Sequence, residues 1–525
     1  MSKTWAGWLG AAIACMVLMG VGGTAWAQEA GGGATVPPAP PVPAGEAAVP
    51  APPAGEPAAT ATTTETKTTT TTEAAPAAPE RDVVDQIKNP VPWFSWGFDE
   101  RIRQEYYNNV FRLDNKGPNR EWNFGRYRSR LWATVSPMKE LDLNVRLAWE
   151  SRYWWEPEIP PKDGWQENNL YFDNINFKVK QPFGLPVTLT VGRQDIILGD
   201  GWLVLDGTPY DGSTSIFFDA IRATVDLKDI QTTVDLIYIQ NYWNSNKYWP
   251  PTDIPNVVAE QNEKGVILWV ANKSIKDTEI DGYFIYKHND NMFNPNSKWN
   301  NQAPLATGDD GDIYTFGSRL VHNFGEHWLA KAEGALQFGN QKTNYPAFSP
   351  GFHQQQEIWA GGATTSLTYL FKDKMNNQLS TGYEFLSGDR AGTKGTNEAF
   401  NSLWGRWPQW SELVVYNWAT EGRIAQITNL HRIWWGWQVD PIKQLRLQMR
   451  YHLLFSDRNT FQETAPAAFG DGCFRGQAVV TMLTYKINRF LSGHLTAEWF
   501  NPSDYYSQPR DDCAFFTRAE LMFTF

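Results

Sequence analysis

Read backwards from its last residue, the chain alternates in polarity. Phe525, Phe523, Leu521 and Ala519 fall on one face, and Thr524, Met522, Glu520 and Arg518 fall on the other. A repeat of two is the side-chain period of a β-strand. Such a strand has one side in an apolar medium and the other in water, which a soluble sandwich also provides. A closed transmembrane barrel, however, needs the pattern along the whole chain, because every backbone polar group inside a bilayer must be satisfied within the sheet.

From Trp96 onward the sequence repeats it in segments of roughly ten residues, the length that crosses a bilayer when tilted. Leu141, Leu143, Val145 and Leu147 alternate with Asp142, Asn144, Arg146 and Ala148. Ile221, Ala223, Val225 and Leu227 alternate with Arg222, Thr224 and Asp226, and Leu445, Leu447, Met449 and Tyr451 with Arg446, Gln448, Arg450 and His452. Short connections fall near 136–140, 181–186, 228–230, 272–277, 323–326, 371–376, 440–443 and 487–489. Long ones fall near 107–121, 151–168, 196–216, 241–262, 289–309, 339–355, 387–424, 457–474 and 501–513. Eight short and nine long connections join eighteen strands. The pattern predicts an all-β fold, an antiparallel transmembrane barrel with short turns at one rim and long loops at the other. Both termini then lie on the short-turn side, in the periplasm of a Gram-negative outer membrane.

The N-terminus reads as a secretory signal over 1–27. Lys3 starts it, an apolar run extends from Trp5 to Val21, and Ala25-Trp26-Ala27 supplies small residues for cleavage before Gln28. A single membrane anchor and a lipoprotein modified at Cys15 are the alternatives. Residues 28–90 are rich in Pro, Ala and Thr and hold too few apolar groups for a core, which predicts a disordered periplasmic linker. A plain spacer is one reading of it; a segment that binds the cell wall or periplasmic export partners is the other. Residues 91–525 form the barrel domain. No later run of eighteen apolar residues exists to make a membrane helix. Aromatic residues make up 14% of the chain, which suits the two membrane–water boundaries; a Trp-rich sugar-binding protein shares that composition. The formal net charge of -11 argues against a nucleic-acid partner. Cys473 and Cys513 end two successive long loops, so a disulfide at the outer rim is expected, with two free thiols as the alternative.

The predicted inward face is basic. Arg126, Arg128 and Arg130 share one side of one strand, and each would cost roughly 2–4 kcal/mol facing lipid at mid-membrane. The same argument turns Arg101, Arg103, Arg146, Lys178, Arg222, Arg319, Lys331, Arg432, Arg446, Arg450 and Arg518 inward, together with carboxylates such as Asp99, Glu105, Asp142, Asp235, Asp281, Glu333, Glu384, Glu498 and Glu520. Two readings compete. Cations and carboxylates pair across strands and hold the wall, or a surplus of Arg draws an anionic solute, its planar fork matching a carboxylate. Tyr153-Trp154-Trp155 and the segment from Trp404 to Trp410 fall in predicted long loops, where they are expected to contact sugar faces; Trp435 and Trp437 are expected in the outward belt. No HExxH, GxSxG or P-loop occurs, and no His pairs with Ser and Asp at a catalytic spacing. The expectation is a protein without catalytic residues, metal or cofactor.

Three segments resemble the alginate export family of outer-membrane porins. Gly192-Arg193-Gln194 ends a strand, Gly199-Asp200 follows, and Phe218-Asp219-Ala220 opens the next strand, with Ala220 where the family commonly has Gly. Ser387-Gly388-Asp389 closes another strand and precedes the aromatic stretch from Phe400 to Trp404. Glu498 to Tyr506 leads into the terminal strand. The resemblance covers about 96–525 and implies an eighteen-stranded monomeric barrel with a basic pore for a polyuronate. The function expected is an outer-membrane porin passing an anionic polysaccharide or oligosaccharide by passive diffusion. A general or small-solute porin for another anionic solute is the near alternative; a barrel enzyme and a plugged structural barrel are remote ones.

Overall fold

The computed structural model describes residues 82–110, 113–117, 120–156, 164–167, 170–206, 216–242, 261–293, 306–307, 309–343, 355–390, 393, 395–405, 409–413, 427–459 and 469–525. Among them, eighteen long antiparallel strands form one closed wall. In chain order they are β1 (Phe94–Asn108), β2 (Glu121–Met138), β3 (Leu141–Glu156), β4 (Tyr171–Lys180), β5 (Val187–Gln194), β6 (Phe218–Leu227), β7 (Thr232–Asn241), β8 (Gln261–Asn272) and β9 (Thr278–Phe293). The second half comprises β10 (Asp309–Phe324), β11 (Trp328–Thr343), β12 (Gln355–Leu370), β13 (Gln378–Leu386), β14 (Leu430–Ile442), β15 (Leu445–Phe455), β16 (Phe474–Lys486), β17 (Leu491–Pro502) and β18 (Ala514–Thr524).

Each strand pairs with the next, and β18 returns to β1 from Asp99↔Thr524 to Asn108↔Phe515. Closure leaves no sheet edge, so no row of backbone donors faces hydrocarbon. The alternation inverts that of a soluble sandwich. On β1, Asp99, Arg101, Arg103 and Glu105 are buried while Ile102 between them is exposed. Leu131, Leu236, Phe316, Leu336, Trp359, Trp435 and Trp437 are likewise exposed. Apolar side chains out and charged ones in is what a lipid exterior and an aqueous interior select. The short turns close on left-handed residues, among them Gln181, Gln231, Asp277, Lys372 and Asn376.

A short helix, α1 (Val83–Lys88), lies where the sequence suggested continued disorder up to residue 90. Asp82 caps it and pairs with Arg489 in the β16–β17 turn, and Trp96 donates its Nε1 hydrogen to the Ile87 carbonyl at 2.8 Å. The Arg489 guanidinium holds the Asp82 carboxyl below its ordinary range. The signal over 1–27 and the rest of the linker lie outside the described residues.

Two other expectations change. Tyr153-Trp154-Trp155 is the end of β3 and no loop: Trp154 packs against Trp122 and Phe124 with centroids 5.4 and 4.4 Å away, so the ring is core. Cys473 and Cys513 are exposed free thiols, with Cys513 Sγ 3.1 Å from Asn501 Oδ1. The loop positions place them at one rim but do not bring their sulfurs together.

Candidate functional site inside the barrel

Two long loops turn into the barrel. The first follows β5, and its root is held by the Gly192-Arg193-Gln194 segment. Gly192 has φ +122°, and a Cβ there would lie 2.4 Å from the Ile175 carbonyl oxygen. Arg193 grips Asp219 through two hydrogen bonds of 2.9 and 3.1 Å, donates to the Phe172 carbonyl at 2.8 Å and stacks on Phe217 at 3.7 Å. Gln194 donates to the Ala220 carbonyl at 3.1 Å. Beyond this clasp, Ile196–Ile197 pairs with Leu205–Asp206 as a small hairpin. Its tip is Gly199-Asp200-Gly201, with φ +58° and +78° at the two glycines, the left-handed conformation that glycine adopts without strain.

The tip reaches the far wall. Asp200 Oδ1 accepts from Arg319 on β10 at 3.1 Å and from Lys331 on β11 at 3.0 Å. Both cations hold the Asp200 carboxyl below its usual range against the opposing effect of burial. Trp202 donates to Glu384 on β13 at 3.1 Å.

The second loop follows β13, and Ser387-Gly388-Asp389 fixes its root. Ser387 Oγ donates to the Glu398 carbonyl at 2.7 Å and accepts from Gly361 N at 3.0 Å. Gly388 N donates to Asp457, and Asp389 accepts from Glu398 N, both at 3.0 Å. From there the loop crosses the interior. Trp404 donates to Glu263 on β8 at 3.0 Å, and Lys287 on β9 donates to the Leu403 carbonyl at 3.0 Å. Trp410 lies 4.4 Å from the Arg432 guanidinium on β14 and 4.9 Å from the His452 ring on β15. Ser411 donates to Glu498 on β17 at 2.6 Å, and Glu412 pairs with Arg518 on β18 at 3.1 Å.

The loops also hold each other. Trp404 N donates to the Leu203 carbonyl at 3.1 Å, Val204 and Trp404 form a parallel bridge, and Trp202 stacks on Phe400 at 5.3 Å. A Cβ on Gly405 would lie 1.9 Å from the Trp202 carbonyl oxygen, so the two backbones touch. Trp404 and Trp410 were expected to offer faces to sugars. They are buried struts between loop and wall. Trp407 lies outside the described residues.

Two cavities border this span. One, of 680 Å³, is bounded by Asp200, Arg319, Lys331, Glu384, Trp410, Arg432, Trp434 and Arg450. The other, of 440 Å³, is bounded by Glu412, Arg446, His494, Arg518 and Glu520. Gln409 belongs to the lining of both.

The basic residues anticipated from sequence divide into two settings. Arg101, Arg103, Arg126, Arg128, Arg130 and Arg518 form a buried patch on β1, β2 and β18. Register sets Arg101 opposite Arg128 and Arg103 opposite Arg126, an arrangement that repels unless carboxylates intervene. They do: Arg103 meets Glu520 at 2.5 Å, Arg126 meets Glu105 at 3.3 Å, Arg130 meets Asp99 at 2.7 Å and Arg518 meets Glu105 at 2.7 Å. Arg146 bridges Asp173 and Asp195 at 2.7 and 2.9 Å, and Arg222 pairs with Asp235 at 2.8 Å. Arg446 pairs with Asp440 at 2.8 Å near the short-turn rim. Along the larger cavity, Arg319 meets Glu279, Asp281 and Asp200, and Arg432 meets Glu384 at 2.8 Å. Arg450 differs. It faces Trp434 at 5.8 Å, and no carboxylate among the described residues lies within ion-pair distance.

Trp202, Glu263, Lys287, Ser411 and Glu412 were not singled out in the sequence. Their roles depend on contacts between segments 87 to 182 residues apart, for which a single sequence carries no signal. Trp202 alone had a pointer, its place beside the Gly-Asp-Gly tip.

The family model described as alginate export matches residues 92–509. Among solved structures, the chain is similar to OccK8 (OprE) of Pseudomonas aeruginosa at 12% identity and a TM-score of 0.50, covering 82% of this chain and 98% of that one. It is similar to OccAB3 of Acinetobacter baumannii at 13% identity and a TM-score of 0.50, covering 82% and 99%. At such identities the likeness is one of fold. No curated protein sequence matches the chain.

Proposed function

Because the chain belongs to the alginate export family and has the fold of an outer-membrane porin, we propose that it passes anionic, carboxylated saccharides by passive diffusion. The observation that carries this reading is the larger cavity beside the two joined loops. There Lys331 and Arg450 border open space, one sharing a single half-exposed carboxylate and the other facing an indole. A carboxylate passing this point finds cations that the wall has not fully neutralised, and the ring of a uronate finds the face of Trp434. Contacts of this number and kind are weak and renewable, which transit requires.

The chain then acts as a channel and not as an enzyme, with a signal over 1–27, a linker through the residues before α1, and both termini in the periplasm. The linker serves as a spacer or as a segment that binds the cell wall or a periplasmic export partner. The barrel works as a monomer in outer-membrane lipid. A porin for small anionic solutes is the second reading, favoured by the joined loops, which border cavities of 680 and 440 Å³.

Planar-bilayer recording tests the proposal. The pure protein should carry ion current with anions passing more readily than cations, and a polyuronate should block it where a neutral glucan does not. Absence of current removes the channel reading. Block by small carboxylates with no effect of polyuronate selects the small-solute reading.

A further inference from the structure

One tryptophan at the larger cavity is set differently from those that join loop to wall. Trp202 and Trp404 each give the Nε1 hydrogen to a carboxylate, Glu384 at 3.1 Å and Glu263 at 3.0 Å. Trp434 on β14 is only half-buried and borders the 680 Å³ cavity, and its Nε1 has no acceptor among the described residues.

The wall makes room for this ring. Register sets Trp434 opposite Gly382 on β13 and sets Gly436 opposite Arg450 on β15. A Cβ on Gly382 would lie 2.4 Å from Trp434 Nε1, and one on Gly436 would lie 3.4 Å from Trp434 Cζ3. The indole thus occupies space that two neighbouring positions give up by carrying no side chain. With one edge against each glycine it lies along the wall and turns a face to the cavity. Arg432 and Arg450 each place a guanidinium carbon 5.8 Å from the ring centre. Arg432 is already paired with Glu384, and Arg450 has no carboxylate within ion-pair distance among the described residues. Farther along the same cavity, Gln448 donates to Gln438 Oε1 at 2.9 Å, and Gln438 Nε2 is left buried without an acceptor among the described residues.

A flat π face beside an unneutralised guanidinium and an unused amide donor suits one class of solute. The C–H groups on one side of a pyranose ring present positive edges to the negative face of an indole, and covering them removes apolar surface from water. The carboxylate of a pyranuronate matches the planar fork of Arg450, and a ring hydroxyl can accept from the Gln438 amide. An open-chain sugar acid of the same charge also meets Arg450, but it has no rigid C–H face to lay on the indole. Charge alone does not tell these two solutes apart.

We propose that Trp434, seated over Gly382 and Gly436, is a stacking platform by which the channel selects ring-closed uronates over open-chain sugar acids of equal charge. Arg450 holds the carboxylate and Gln438 a hydroxyl. The inference rests on the anionic-saccharide reading given above and adds the ring as the feature recognised.

The test uses the full-length protein in planar bilayers, with D-galacturonate and D-galactonate as probes. The two share carbon number and charge and differ in ring closure. Galacturonate should half-block the wild-type current at about a tenfold lower concentration, in keeping with one aromatic contact. Trp434→Leu should bring that factor near one. Trp434→Phe, whose smaller ring leaves the recess over Gly382 partly empty, should give a factor of about three and decides the matter if the Leu variant fails to fold. Arg450→Gln should weaken both acids alike and preserve the factor. A wild-type factor near one, or a factor unchanged in either Trp434 variant, overturns the proposal. So does a Trp434 variant that weakens both acids equally, which makes the ring a structural filler. Equal block by both acids sinks the platform while the channel reading stands. Block by neither sinks the platform as well, and the polyuronate recording then judges the parent reading on its own.

Discussion

The wall at the β18–β1–β2 seam and the wall from β10 to β15 carry the same residue types and put them to different ends. At the seam, six arginines are buried, and Arg103, Arg126, Arg128, Arg130 and Arg518 are knit to Asp99, Glu105 and Glu520. Across the barrel, Arg319, Lys331, Arg432 and Arg450 line a cavity, and loop residues supply part of their counter-charge. Arg319 and Arg432 are buried and paired like the seam arginines, so what separates the two walls is the setting of Lys331 and Arg450. A charge taken from water must be matched in place, and its loss strands a partner. A charge beside open space remains free to exchange one anion for another. The teaching is that an inward arginine is not by itself part of a pathway; what covers it decides.

The largest test of this contrast is Arg130→Ala, which leaves Asp99 buried at 4% exposure. It should lower unfolding stability by about 3–5 kcal/mol in a urea titration, with little change in ion selectivity. A selectivity change without destabilisation would place the seam on the pathway. Next is Gly405→Ala, whose methyl collides with the Trp202 carbonyl. It should cost about 1–3 kcal/mol and raise single-channel conductance as the loops part. Arg450→Gln should reduce the anion-to-cation permeability ratio while changing stability by about 1 kcal/mol or less. Asp200→Asn should act in the opposite sense and raise that ratio, because it weakens the internal counter-charge on Lys331. The smallest effect belongs to neither wall. The Asp82–Arg489 pair is complete above the ordinary carboxylate range and is lost as pH falls through the depressed Asp82 value, since that carboxyl is ionised more readily folded than unfolded. Trp96 fluorescence, reporting the contact with Ile87, should change only below that range.

The wall was legible from sequence because lipid enforces a period of two on every strand, and the strand ends announce themselves as turn chemistry. Even the terminal strand kept its faces, with Leu521 and Phe523 exposed and Glu520 and Met522 buried. The interior was legible only in part. Alternation turns Arg128 and Arg450 inward alike, but it carries no information on what lies above either one. The aromatic loop segment around Trp404 reads the same whether its rings face sugar or pack on Glu263 and Arg432. The Gly192-Arg193-Gln194 and Ser387-Gly388-Asp389 segments were recognisable by resemblance. That both serve as clasps at the roots of infolded loops emerges only from their partners, Asp219 and Ala220 in one case, Glu398 and Asp457 in the other.

The bridge between Val204 and Trp404 has a consequence for assembly. It ties together two segments separated by two hundred residues, and each reaches it from hairpins on different sides of the wall. Neither segment has its final neighbour until both flanks of the barrel stand in place. The bore is therefore the last dimension of the molecule to be set, and a wall that has not closed has none. A defect in the timing of closure would surface as a leak rather than as a missing channel.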